Sequence, residues 1–437
     1  TSNGLYIGRR QPLPAVVGPP PLPARDGFVW TKAADVSWQG PITDVLFLPG
    51  GRLVACAVGV GLVVSDDLAT TAAVPVASVA GLGLLGRFSV AGPTAWTEGP
   101  PAHFEWRTSG NRLYLLGETG PMAISLTRIP DASIAAPAAA AVSGVTNALW
   151  QIAPALGNQR DYDQAIAVDT SGANDRVFVG GSSAQAFVGA DWGASLWCYD
   201  IVAAPPAPPP PTPFIAQAAV GISDTAAPPA GAAADTAGMI GNSVHGDVHA
   251  IRLAGTGAPS PQVWIACDGG VFASERSGVV GSFAARNTGL ATLQPVYARS
   301  HQVNGHLVGA GFQDNGTQVR TGDTLWDLQF VSDGGWVAFV PTAPHVFVNQ
   351  QFGGVWRTNN AAAFVAPPLA NADVTGASFY SGAAVTRVPP VGATPARSRV
   401  AIGTYRVWLS DDVGVAAPNT WRVLRSISGQ PVAPPGP

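Results

Sequence analysis

Apolar residues along the chain fall in short runs of strand length, alternating or continuous, each closed by Gly, Pro, Asn or Asp. The segments 42–48, 162–168, 177–180, 263–266, 336–340 and 421–424 are such runs, and almost nothing follows a helical period. The pattern predicts a chain that is nearly all β. Within it one phrase recurs: an Arg, Gln or His, then an apolar run, a turn and a second apolar run. It reads RLVAC at 52–56, RLYLL at 112–116, RVFVG at 176–180, QVWIA at 262–266, HLVGA at 306–310, HVFV at 345–348 and RVAI at 399–402.

A hairpin phrase repeated at irregular spacings of about 40 to 85 residues predicts radially repeated sheets with loop insertions of unequal length. The predicted fold class is all-β: a single β-propeller, seven-bladed within a range of six to eight, with four-stranded antiparallel blades. Residues 1–27 carry Pro12, Pro14, Pro19, Pro20, Pro21 and Pro23, and such a run favours an extended arm or linker. The propeller is expected over 28–425, with 28–32 as a strand closing the ring against the last blade. A Pro/Ala-rich insertion is expected at about 202–243 and a tail at 426–437.

Composition narrows the function classes. Hydrophobic residues make up 47% and charged residues 11%, the net charge is -4, and Lys32 is the only lysine. No broad basic field exists for a phosphate backbone, so nucleic acid is not an expected partner. No apolar stretch reaches the roughly 18 residues of a helical membrane span. Cys56, Cys198 and Cys267 lie in apolar runs at unrelated spacings, which predicts buried free thiols rather than disulfides or a zinc site.

Several repeat ends resemble the Asp-box, the bacterial-neuraminidase repeat Ser-x-Asp-x-Gly-x-Thr-Trp. Ser410, Asp412 and Gly414, resumed at Trp421, form the fullest copy; Ser65 with Asp67, Ser274 with Gly278, and Thr358 with Asn360 form shorter ones. The stretch HGDVHAI at 245–251, CDGGVF at 267–272, NTGL at 287–290, GFQDNGT at 311–317, DGG at 333–335 and FGGVW at 352–356 is similar to secreted bacterial Asp-box or sortilin-type propellers, including relatives of xyloglucan-cleaving glycosidases. The resemblance implies an extracellular or particle-surface location. It also implies a structural role for the Asp-box, whose Ser and Asp bond turn amides at the hairpin between a blade's third and fourth strands.

The opposite face of such a disc gathers the polar candidates. His245, Asp247, His249, Asp268, Gln313, Asp314, Asn315 and Asp333 are the expected binding residues, with Asp44 beside them. On a regular strand His245, Asp247 and His249 point one way, but the two histidines then stand about 13 Å apart, too far to share one ion. No metal or cofactor is expected, structural calcium being the one ion entertained. Glycoside hydrolysis needs two carboxyls about 5 to 9.5 Å apart, one of them protonated. Asp163, Asp247, Asp268, Asp314 and Asp333 supply the candidates, each of the last three beside glycines and so also a turn residue. Arg128-Ile129-Pro130 resembles a sialidase element, yet Glu occurs only at 98, 105, 118 and 275 and no arginine set clamps a carboxylate.

The expected function is therefore a non-enzymatic binding or structural module that presents one loop face to a glycan or protein partner, or to a larger extracellular assembly. Trp96, Trp106, Trp192 and Trp326 are its candidate aromatic contacts. The alternative is a glycoside hydrolase of Asp-box propeller type using two of the five Asp.

Overall fold

A computed structural model describes residues 6–13, 25–32, 41–49, 52–58, 61–65, 73–75, 88–92, 94–99, 103–108, 110–120, 123–130, 139–145, 163–185, 192–204, 214–220, 238–254, 261–290, 293, 295–301, 304–322, 324–331, 333–340, 346–349, 356–358, 381–404, 406–411 and 420–426. Every regular element among the described residues is a β-strand. The chain divides into two compact units, Thr1–Thr288 and Gly289–Pro437.

The N-terminal unit opens with a hairpin. β1 (Tyr6–Leu13) and β2 (Arg25–Lys32) pair antiparallel from Tyr6↔Lys32 to Leu13↔Arg25. Part of the expected proline-rich arm is thus paired strand, and 28–32 pairs with its own N-terminal neighbour.

Four up-and-down sheets follow. The first is β3 (Ile42–Phe47), β4 (Leu53–Ala57), β5 (Gly61–Ser65) and β6 (Ala73–Pro75). The second begins with β7 (Phe88–Ala91), is interrupted by a hairpin of β8 (Thr94–Gly99) and β9 (His103–Thr108), and continues with β10 (Leu113–Gly120), β11 (Ala123–Ile129) and β12 (Ala140–Ser143). The third is β13 (Ala165–Asp169), β14 (Asp175–Gln185), β15 (Trp192–Ala203) and β16 (Phe214–Ala218). The fourth is β17 (Val248–Ala254), β18 (Gln262–Cys267), β19 (Gly270–Ser274) and β20 (Ala284–Ala285).

The first strands β3, β7, β13 and β17 lie side by side in chain order, so the sheets fan around a common centre. The β8–β9 hairpin leaves the end of β7, and its backbone reaches β3 and β17. On the outside β12 and β16 pair in parallel, Val142↔Phe214 and Ser143↔Ile215, which joins the second and third sheets into one of eight strands.

The C-terminal unit repeats the plan. It holds β21 (Pro295–Ser300), β22 (Leu307–Phe312), β23 (Gly316–Thr321) and β24 (Asp327–Phe330); then β25 (Val337–Phe339), β26 (Val346–Asn349) and β27 (Trp356–Thr358); then β28 (Ala383–Val388), β29 (Arg397–Gly403), β30 (Arg406–Ser410) and β31 (Arg422–Ser426). Its first strands β21, β25 and β28 are again neighbours in chain order. Consecutive antiparallel sheets with adjoining first strands are the blades of a β-propeller.

The cores lie between blades. Leu62, Val90, Leu113 and Leu115 fill the space between the first and second sheets, Tyr114, Leu116, Val177 and Trp197 that between the second and third, and Phe178, Leu196, Ile251 and Ile265 that between the third and fourth. In the C-terminal unit Val319, Val337 and Phe339 form one such layer, and Trp336, Val400, Ile402 and Trp408 the next. Each large apolar side chain so buried stabilises the fold by about 1.5–3 kcal/mol. The three thiols are free and buried among these layers. Burial raises the Cys56 and Cys198 thiols well above their ordinary range and Cys267 to about 12, so they act as core hydrophobes.

The arginine that opens several repeats has a common use. Arg176 forks onto Asp200 of the neighbouring strand at 2.8 and 3.1 Å, and Arg399 pairs with Asp411. Arg112 crosses to the next blade, where its guanidinium, the Tyr114 hydroxyl at 2.7 Å and Arg128 Nε at 3.3 Å all donate to the buried Asp175. Arg128 also lies over the Phe214 ring, 4.5 Å from its centroid.

Candidate functional site

At the end of the N-terminal unit where β3, β7, β13 and β17 begin, polar groups tie each blade to the next. Asp44 accepts the Val45 amide at 2.9 Å and, across to the second blade, the Val90 amide at 3.0 Å. Ser89 donates to Gln164 Oε1 at 3.2 Å, and Gln164 Nε2 donates to the Leu116 carbonyl at 3.3 Å. Third and fourth blades meet through Asp163, Asp247, His249 and Asp268.

Local backbone explains the convergence. Asp163 and Gln164 immediately precede β13, and Asp268-Gly269 is the turn between β18 and β19. Asp247 has φ 60°, outside the strand conformation, and the register slips between Val248 and Ala250. His245, Asp247 and His249 therefore do not lie along one regular strand face as periodicity predicts; the bulge turns His249 towards Asp163 and Asp268. His249 Nε2 stands 2.5 Å from Asp268 Oδ1, and its Nδ1 3.6 Å from Asp163 Oδ1.

The loops are packed without slack. A Cβ on Gly246 would lie 1.9 Å from Ser183 Oγ, and one on Gly269 would lie 2.4 Å from His245 Cβ. Gly269→Ala is expected to force these loops apart at a cost of about 2 kcal/mol. A lowered denaturation midpoint checks this, and an unchanged one refutes the packing argument.

The electrostatics are set by burial. Asp163 is 0% exposed and Asp247 8%, and neither Asp163 oxygen nor Asp247 Oδ1 receives a donor. Desolvation, followed by the facing charge of Asp247, raises Asp163 to about 8. Asp247 is raised as well, first by desolvation. Two carboxyls enclosed together keep one proton between them, because both cannot ionise. Both carboxyls are therefore held above the ordinary carboxylate range, chiefly by burial. By contrast the side chains of His249 and Asp268 are 40% and 30% exposed.

A cavity of about 330 Å³ is lined by the four first strands, with Asp44, Ser89, Gln164, His249 and Arg252 among its polar lining. The Arg252 guanidinium bonds the carbonyl of Ile251 at 2.8 Å. Gln164, Ser89 and Arg252 are absent from the sequence-derived set, and no motif marks them; only the adjacency of first strands brings them together.

The remaining candidates lie in the C-terminal unit. Gln313, Asp314 and Asn315 form the turn between β22 and β23; Asp314 has φ 61°, and its amide donates to Asp333 Oδ1 at 2.8 Å. Asn315 donates through its amide and its side chain to the Gln313 carbonyl, at 2.7 and 3.1 Å. These groups brace a turn. Trp326 is 39% exposed and meets Phe312 edge to face at 6.4 Å, while Trp96 and Trp106 are cross-strand partners in the β8–β9 hairpin.

Among the Asp-box residues, Ser274 Oγ accepts the amides of Arg276 at 3.2 Å and Gly278 at 3.1 Å and stands 2.6 Å from Ser282 Oγ. Ser65, Thr358 and Ser410 end β5, β27 and β30. Trp421 packs against the layer containing Trp336 and Trp408. Asp67, Asn360, Asp412 and Gly414 lie outside the described residues.

No family model matches the chain, and no curated protein matches it. Similar solved structures include the GH74 xyloglucanase from Xanthomonas campestris, at 14% identity over 87% of this chain and 54% of that one, TM-score 0.29. A β-propeller domain from Myceliophteria thermophila shares 10% identity over 75% of this chain and 83% of that one, TM-score 0.29. YCF48 bound to a D1 peptide shares 13% identity over 74% and 80%, also with a TM-score of 0.29. The chain spans about half the length of the xyloglucanase. No helix among the described residues is long and apolar enough to cross a membrane.

Proposed function

We propose that the protein is a single seven-bladed propeller of Asp-box type that works as a non-enzymatic recognition module, outside the cell or on a particle surface. In this reading it takes a glycan or protein partner at the cavity lined by His249, whose ring is paired with Asp268. One observation carries the choice of recognition over hydrolysis. The carboxyl with the proton affinity of a general acid, Asp163, is sealed from solvent against Asp247, while the groups that do face solvent, His249 and Asp268, are bonded to each other. A general acid must come within hydrogen-bond reach of the atom it protonates. Exposed paired polar groups beside a cavity with mixed lining instead suit ligand contacts.

Glycan and peptide arrays combined with assays for released sugar test this. Asp268→Asn and His249→Ala are expected to weaken the array ligand by about tenfold each, a loss of about 1.4 kcal/mol, with no sugar released by the parent protein. A glycoside hydrolase remains the second reading, because burial raises Asp163 to about 8, in the direction a general acid requires. Release of sugar that disappears in Asp268→Asn would establish it and overturn the first.

A further inference from the structure

We propose that the β1–β2 hairpin is an arm with which one copy of this chain holds a second copy, lying against the acidic blades of that neighbour's N-terminal unit. Charge along the chain is unevenly divided. The hairpin segment 6–32 carries Arg9, Arg10, Arg25 and Lys32 against Asp26 alone, a net charge of +3. Residues 33–288, which hold the four blades that follow, carry 10 basic and 19 acidic residues, a net charge of -9. The whole-chain value of -4 conceals this division. Opposite charge on two surfaces steers their encounter and fixes its orientation.

A second observation, independent of charge, is that the hairpin has no layer to pack on. β1 and β2 form a sheet of two strands, and among the described residues no third strand pairs with either edge or runs alongside them. An isolated ribbon is marginal in water and gains its stability from a further strand or an opposing layer. Apolar surface stays in solvent as well, since Trp30 is 65% and Tyr6 41% exposed. Trp, Tyr and Arg are the side chains that most often anchor a protein interface.

The same features choose the occupant. The ribbon does not lie along the blades of its own unit, so the acidic surface of matching charge that it meets is another copy's. A nucleic acid or other polyanion would answer only the basic residues, whereas a protein face also covers Trp30 and Tyr6. Reciprocal exchange of arms closes the contact as a twofold dimer.

Sedimentation velocity of the full chain, with no glycan or peptide present, tests this. At about 20 mM NaCl, where the Debye length is about 20 Å, the parent is expected to pass from monomer to dimer between about 1 and about 100 µM protein. At about 500 mM NaCl the Debye length is about 4 Å, and the dissociation constant should rise about tenfold or more. Arg9→Glu combined with Arg10→Glu turns the segment from +3 to -1 and should weaken the dimer about tenfold or more at low salt, with the parent circular-dichroism spectrum retained. Trp30→Ser leaves the charge unchanged and should weaken it about tenfold as well. A parent that stays monomeric at about 100 µM overturns the proposal, including one that binds a polyanion such as heparin. So does a dimer whose affinity ignores both salt and these variants. Should the double variant fail to fold, Trp30→Ser and the salt dependence decide by the same criteria.

Discussion

Asp175→Ala is expected to lower stability by about 3 kcal/mol. Asp175 is buried, and three donors from the preceding blade converge on it: Arg112, the Tyr114 hydroxyl and Arg128. Truncation leaves the Tyr114 hydroxyl, in a residue that is itself buried, without its acceptor, and strands the half-buried Arg128. Arg112 is 39% exposed and recovers water, which keeps the loss near the lower end of what a broken buried pair costs. Tyr114→Phe, which removes one donor and no charge, should cost about 1 kcal/mol. Urea denaturation of both variants measures this. Equal midpoints for Asp175→Ala and the parent would show that the cluster stabilises nothing.

Parent stability is expected to fall as pH rises from about 5 to about 8, and Asp163→Asn to abolish most of that fall. The sign follows from proton counting. Asp163 is raised to about 8 in the folded chain, chiefly by desolvation and then by Asp247. Unfolded, it titrates near the ordinary carboxyl value of about 4. Between those values the folded state holds a proton that the unfolded state has released. Its contribution is fully present below about pH 4 and lost as pH passes through about 8, with a slope of at most about 1.4 kcal/mol per pH unit. Asn carries no titrating proton and places no like charge beside the Asp247 carboxyl. Melting temperatures of the two proteins should therefore diverge with pH, Asp163→Asn being the more stable at pH 8.5. A parent curve flat from pH 5 to 8 would mean the two carboxyls do not share a proton.

The blade rhythm was legible because it is a matter of period and punctuation. All seven repeat phrases fall on the second strand of a sheet: β4, β10, β14, β18, β22, β26 and β29. That strand is flanked on both sides, so it needs a continuous apolar run and displays the strongest signal. The N-terminal hairpin was illegible for the opposite reason. Pro12 and its neighbours argue against a sheet, yet a two-stranded ribbon is all edge, where a missing amide is tolerated.

The candidate site was legible only in part. Asp247, His249 and Asp268 stand in a polar, glycine-flanked context that attracts notice, but Asp163 is separated from Asp247 by the whole third blade. Their meeting depends on adjacency of β13 and β17, which no local pattern encodes. The two-residue period of His245, Asp247 and His249 is broken at one residue, by φ 60° at Asp247 and the slip after Val248. The Asp314 amide donates to Asp333 Oδ1, so these two also brace the turn that follows β22.

The parallel seam between β12 and β16 bears on how the chain comes apart. Repeat architectures ordinarily lose their modules one at a time, each held only by its neighbours' faces. Here the second and third modules also share backbone hydrogen bonds at the rim, beside the Arg128–Phe214 stack, and are tied further by the Asp175 cluster. Amide exchange in β10–β12 and β14–β16 should consequently proceed through a single opening event with one common protection factor, a foldon twice the size of any other in the N-terminal unit.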